Sequence, residues 1–237
     1  MADTPNTPAD TTPPPASPML RLLFAIPLVV SGAALVGTLW FLNRDTGRTA
    51  TGDRVRIHLQ SACLERTERV VRARIDSLGL PAPELVAAGD GLDLTLTLPG
   101  LPDDRTAIPA LLTAPGRLSV RVSDQEVATE GDVAGTGINL GPGGDPYLEL
   151  AFQAMAVTAL REASASGAPM TLLLDGRVMA EGVGADQIED QKLAVYPADA
   201  GPQERMRLAA DWSLILNSGP HGCPVVATTV ADAPPAG

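Results

Sequence analysis

The chain has 237 residues, 28 acidic side chains against 17 basic ones, a net charge of −11, and only 3% aromatic residues. That negative excess excludes a phosphate-neutralising nucleic-acid surface, and the scarcity of rings excludes a base-stacking platform. The length accommodates a membrane segment plus one or two small domains.

Residues 1–18, MADTPNTPADTTPPPASP, are rich in Pro, Thr and Ala and carry too little apolar surface to fold, so a disordered tail is expected. Residues 231–237 read the same way. From Leu22 to Asn43 no side chain is charged, which predicts one transmembrane helix over 19–43 with Trp40 and Phe41 near an interface. The apolar run is longer than the roughly 7–15 residues of a cleaved signal and no small-residue cleavage site closes it, so an uncleaved anchor is expected. No Asp, Glu, Lys or His lies inside the span, so it offers no proton or ion path. Arg21 precedes the span, whereas Arg44, Arg48, Arg54 and Arg56 follow it; counted alone, these charges favour a cytoplasmic C-terminal side. Residues 44–53 read as a linker.

Beyond Gly52 the periodicity sharpens. Val55, Ile57 and Leu59 alternate with Arg54, Arg56 and His58 as in a half-buried strand. Leu64 to Leu78 reads as a helix with Val70, Val71, Arg74, Ile75 and Leu78 at helical spacing, and Gly79 sits where a C-terminal cap belongs. A short strand over Glu84–Ala88 precedes a turn, and Leu92, Leu94, Leu96 and Leu98 then share one strand face until Pro99-Gly100 stops it. A helix over 104–113 and a strand over 118–122 complete a β-α-β-β-α-β order, the ferredoxin-like split βαβ pattern. Residues 123–146 are Gly- and Asp-rich without clear periodicity. A strand (YLELAF, 147–152), a helix over 154–166 and an apolar strand over 170–174 follow. Asp175-Gly176 is a hairpin signal, with return strand 177–180. A strand over 193–196, a helix over 202–217 opened by Pro202, and a last strand over 225–230 close the fold.

Cys63 and Cys223 each fall at a helix–strand junction. They are read as a candidate disulfide or as two unpaired buried thiols. A zinc site built from them with His58 and His221 is disfavoured by the H-x4-C and H-x-C spacings. Asp103 and Asp104 suit a helix N-terminus, and Asp186, Glu189 and Asp190 a solvated loop; no nucleophile or base accompanies them, so no catalysis is expected. GTGINLGPGG opens no helix and does not read as a phosphate loop.

Several motifs occur in an order that resembles the first periplasmic domain of SecD, an accessory subunit of the Sec protein translocase. They are Arg74-Ile75-Asp76 with Leu78-Gly79-Leu80, Leu98-Pro99-Gly100, Leu118-Ser119-Val120-Arg121, Leu173-Leu174-Asp175-Gly176-Arg177-Val178, and AADWSLILNSGPHGCPVVATT, whose Ser218-Gly219-Pro220 precedes a Val-rich strand. The resemblance implies an α+β fold in which a ferredoxin-like base (54–124 and 199–230) carries an inserted head (125–198). Arg74, Gly79, Pro99, Gly100, Asp175, Gly176 and Gly219 would be fold-forming rather than catalytic. It further implies a single-pass protein of the bacterial inner membrane, its folded domain in the periplasm, that contacts translocase components or a translocating polypeptide and needs no cofactor or metal. The family continues into five further spans whose charged residues serve proton-driven movement; a lone apolar helix implies no motor of its own. An envelope scaffold reusing the same fold without a role in secretion is the alternative.

Overall fold

The structure is a computed structural model and describes residues 53–98, 104–198 and 200–233. The expected membrane helix, both tails, Pro99, Gly100 and Asp103 lie outside the described residues.

Strand β1 (Arg54–Ser61) buries Val55, Ile57 and Leu59 completely and turns Arg56 and Gln60 to solvent. Helix α1 (Leu64–Ser77) places Glu65 in its first turn and buries Thr67, Val70, Val71, Arg74 and Ile75. It stops in a Schellman motif. Gly79 takes φ +63°, its N–H donates to Asp76 O at 3.0 Å, and the N–H of Leu80 donates to Ile75 O at 3.2 Å. Strands β2 (Glu84–Ala88) and β3 (Gly91–Thr97) and helix α2 (Asp104–Thr113) follow.

The antiparallel sheet containing β1 has the order β11-β1-β3-β2, with β11 (Val225–Asp232) arriving from the far end of the chain. Register places Ile57 between Leu94 and Val230, and Leu59 between Leu92 and Ala227. Ile57, Leu59, Leu92 and Leu94 meet Val71 and Ile75 of α1 and Ile108 and Leu112 of α2 in one apolar core, with Ala227 against it. Each fully buried leucine there contributes about 2 kcal/mol. The other face of the sheet is polar: Asp93 accepts from Arg56 and sits 2.8 Å from His58 Nδ1.

The strand over Leu118–Val122 (β4) does not join that sheet, which corrects the expected base of 54–124. It pairs with β5 (Gln125–Thr129) and β8 (Met170–Leu174) in the order β5-β4-β8-β9, β9 being Arg177–Val183. Its inward residues Leu118, Val120 and Val122 pack with Leu148, Leu150 and Phe152 from a third sheet, β10-β7-β6. In that sheet β6 is Val133–Leu140, β7 Pro146–Phe152 and β10 Lys192–Val195. Helix α3 (Ala154–Ala163) and helix α4 (Pro202–Ser218) complete the second core through Val157, Leu160, Ile215 and Leu216. Thus α4, expected in the base, also packs into the second core. Alternation marks which face of a strand is buried, but not which sheet receives it.

Strands β5 and β6 fall in the stretch read as lacking periodicity. β5 is a mostly polar strand at a sheet edge. β6 carries Gly135 and Gly137 on its outer face, so the alternation has no side chain to display it. Helix α3 ends at Ala163, three residues before the expected end, with Ser164 at its C-cap. Among the described residues no helix is long and apolar enough to cross a membrane.

Candidate functional site

Two segments connect the first core to the second. One leaves α2 through Ala114–Arg117 towards β4, and the other leaves α4 through Gly219–Pro224 towards β11. Both pass the guanidinium of Arg74, which α1 presents on its apolar face and which is wholly buried. Its Nη1 donates to Leu111 O and Ala114 O at 2.7 Å and to Leu112 O at 3.2 Å. Its Nε donates to Ser218 Oγ at 2.9 Å and its Nη2 to Gly219 O at 3.3 Å.

These acceptors stand where α2 and α4 end. The last carbonyls of a helix lack intrahelical partners and carry the negative end of its dipole. A single cation therefore closes two helix C-termini, with no carboxylate of the described residues in contact. Burial lowers the Arg74 pKa to about 10, an effect that the nearby charge of Asp175 opposes. The guanidinium still carries its charge at neutral pH. Gly116 permits this convergence: it holds φ +77°, and a Cβ there would stand 3.1 Å from Gly219 O and 3.2 Å from Arg74 Nη2.

His221 completes the cluster and is 1% exposed. Its Nε2 lies 2.8 Å from Leu112 O and 3.2 Å from Arg74 Nη1. The short carbonyl contact places the proton on Nε2 and leaves Nδ1 buried without a partner among the described residues. Burial, reinforced by the charge of Arg74, pushes the His221 pKa down to about 4. Below the ordinary value near 6.5 the unfolded chain binds a proton that the folded chain refuses. The contribution of His221 to stability is therefore complete above about pH 6.5 and is lost as pH falls towards 4, at up to about 1.4 kcal/mol per pH unit. Asp211 acts oppositely, because burial raises its pKa to about 6. Unfolding free energies measured at pH 7 and pH 4.5 should fall more steeply for the wild type than for His221→Asn. Equal slopes would refute the assignment.

Cys63, at the N-terminus of α1, and Cys223, just before β11, are joined as a disulfide with Cα atoms 5.8 Å apart. Beside it, Gly222 takes φ +83° against the Arg66 side chain.

A chain of SecDF, a membrane component that enhances protein export, matches with a TM-score of 0.60 at 19% identity, over 75% of this chain and 100% of that one. SecDF in a super-membrane-facing form matches with a TM-score of 0.63 at 17% identity, over 82% of this chain and 33% of that one. The chain has a SecD-like fold. It spans all of the first SecDF chain and about a third of the second. No protein-family model and no curated protein matches the sequence.

Within the SecD-like fold the remaining motif residues serve turns. Asp175 and Gly176 take φ +53° and +77° in the β8–β9 hairpin, and Asp175 also accepts the N–H of Arg117 at 2.8 Å. Gly219 takes φ +76° as the residue that ends α4. Asp104 opens α2. Asp186 lies in a short 3-10 turn, and Glu189 and Asp190 in the tight turn into β10, where Glu189 and Lys192 exchange backbone hydrogen bonds. Among the described residues no group of three or more His, Cys, Asp or Glu could hold a metal ion. Sequence reasoning placed Arg74 on the buried stripe of its helix but missed its partners. The available signal was an Arg set among Val70, Val71 and Ile75.

Proposed function

We propose that this protein is a membrane-anchored, SecD-like domain that contacts a translocating polypeptide or translocase components on the periplasmic face of the bacterial inner membrane. It assists export by binding, without catalysis or a cofactor of its own. The observation that carries this reading is the fold shared with SecDF, one solved chain of which belongs to a membrane component that enhances protein export. The uncharged run from Leu22 to Asn43 supplies the anchor.

In this reading β1, α1, β2, β3 and α2 form a ferredoxin-like base whose fourth strand is β11, consistent with the order β11-β1-β3-β2. Residues 114–220 are then a head spliced between α2 and β11, and Arg74 holds both crossings. The experiment is site-specific photo-crosslinking in native membranes from exposed head positions such as Val178 and Tyr196. Capture of nascent secretory chains or of translocon subunits is the expected result. Exclusive capture of envelope proteins unconnected with secretion would overturn the export role and leave a scaffold.

A further inference from the structure

We propose that a cleft beside β4 binds carboxylate side chains of an extended polypeptide. This deepens the export reading and rests on it for the polypeptide's identity. The cleft holds about 490 Å³ and lies between the outer face of the β5-β4-β8-β9 sheet and the Arg66 side of α1 with residues Pro220 and Gly222. Three of its lining residues are Arg66, Arg117 and Arg121.

Among the described residues many cations outside the cleft are engaged, although Arg69, Arg161 and Arg177 form no ion pair either. Arg56 pairs with Asp93, Arg72 with Glu68, Arg205 with Asp145 and Lys192 with Glu149. Arg66, Arg117 and Arg121 form no ion pair among the described residues, and all three are exposed. Arg66 spends its Nε on Pro220 O at 3.0 Å and Arg121 its Nε on Ser119 Oγ at 3.2 Å, which leaves their Nη groups for a ligand. Glu126 and Glu130 also line the cleft; Glu126 stands opposite Arg121 in the strand register, yet neither closes on an arginine.

The shape selects a chain segment. Ser119, Leu173 and Val178 stand in register across β4, β8 and β9 on the outer face, and Val178 is 51% exposed. This gives a strip for aliphatic side chains beside the guanidiniums. Guanidinium forks match carboxylates in geometry as well as charge. A polyanion of high charge density would bring its other charges against a protein of net charge −11, whereas a flexible polypeptide can place one or two carboxylates here alone.

The test is fluorescence anisotropy on the full chain in detergent at low salt. The probes are a rhodamine-labelled, unstructured Gly/Ser/Leu peptide carrying two Asp residues and its Asn counterpart. The Asp peptide should bind about tenfold tighter, as expected for two or three exposed ion pairs. The preference should vanish in the Arg117→Gln/Arg121→Gln double variant, whose circular dichroism stays that of the wild type, and should fade in raised salt. Equal binding of the two peptides, or an undiminished preference in the double variant, overturns the site. So does arginine-dependent binding of phosphatidylglycerol vesicles or inorganic phosphate in the absence of any peptide preference. Those failures leave the export reading standing, because only the crosslinking experiment addresses it.

Discussion

Replacing Arg74 by Met should lower the stability of the fold by about 3 kcal/mol or more. Methionine fills part of the volume but donates nothing. The carbonyls of Leu111 and Ala114 and the oxygens of Ser218 and Gly219 would lose the Arg74 donor, Leu112 O would keep only His221, and each unsatisfied buried acceptor costs on the order of 1–3 kcal/mol. Relief from burying a cation offsets part of that sum. Lysine restores the charge but cannot reach two helix ends at once, since its ammonium lacks the planar fork. Arg74→Lys should therefore recover only part of the loss. Urea denaturation followed by circular dichroism measures the effect. Hydrogen exchange adds a sharper readout: amides of 111–116 and 216–221 should lose protection before those of β1 and β3, because the guanidinium is what joins the segments. A variant as stable as the wild type would show that these helix ends are satisfied without Arg74.

Breaking the Cys63–Cys223 link, by Cys63→Ala, Cys223→Ala or reductant, should cost about 4–5 kcal/mol in the chain-entropy account. The two cysteines are 160 residues apart in sequence, so the closed loop contains nearly the whole described fold. Reductant should destabilise the wild type and leave Cys63→Ala/Cys223→Ala unchanged. The same pair reports compartment. In intact cells a thiol reagent should label the protein only after reduction, as expected on an oxidising side of the membrane. Labelling without reductant would place the pair in a reducing compartment and remove the link from the native state. The arginines flanking the apolar run favour that opposite topology, so the outcome also decides between flanking charge and the proposed periplasmic domain.

The two expected losses have different origins. The disulfide acts mainly on the unfolded chain by limiting its freedom, whereas Arg74 acts in the folded state by satisfying polar groups that packing has removed from water. They should add approximately only if the two sites are uncoupled. Both bracket α1, with Cys63 before its first residue and Arg74 near its last turn, so a double-mutant cycle should reveal any coupling through that helix.

Much of the fold was legible because local rules dictate it. The alternation Val55-Ile57-Leu59 against Leu92-Leu94-Leu96 fixes two half-buried strands, and Gly79 and Asp175-Gly176 mark a helix end and a hairpin by their left-handed backbone. Where side chains could not report the period, as at Gly135 and Gly137 in β6, the strand stayed invisible. The candidate site was half legible. An arginine on an apolar stripe announces a buried cation, but nothing near it in sequence names its partners.

By itself, then, the sequence determined most helices and strands, their buried faces, the turns between them and the uncharged run near the N-terminus, because each depends on residues within a few positions of one another. Only the tertiary structure decided that β11 rather than β4 completes the first sheet, and that Arg74 meets groups 37 to 147 residues further along the chain. Strand pairing and buried hydrogen bonding are settled by which distant surfaces can exclude water together, and a periodic pattern carries no record of its partner.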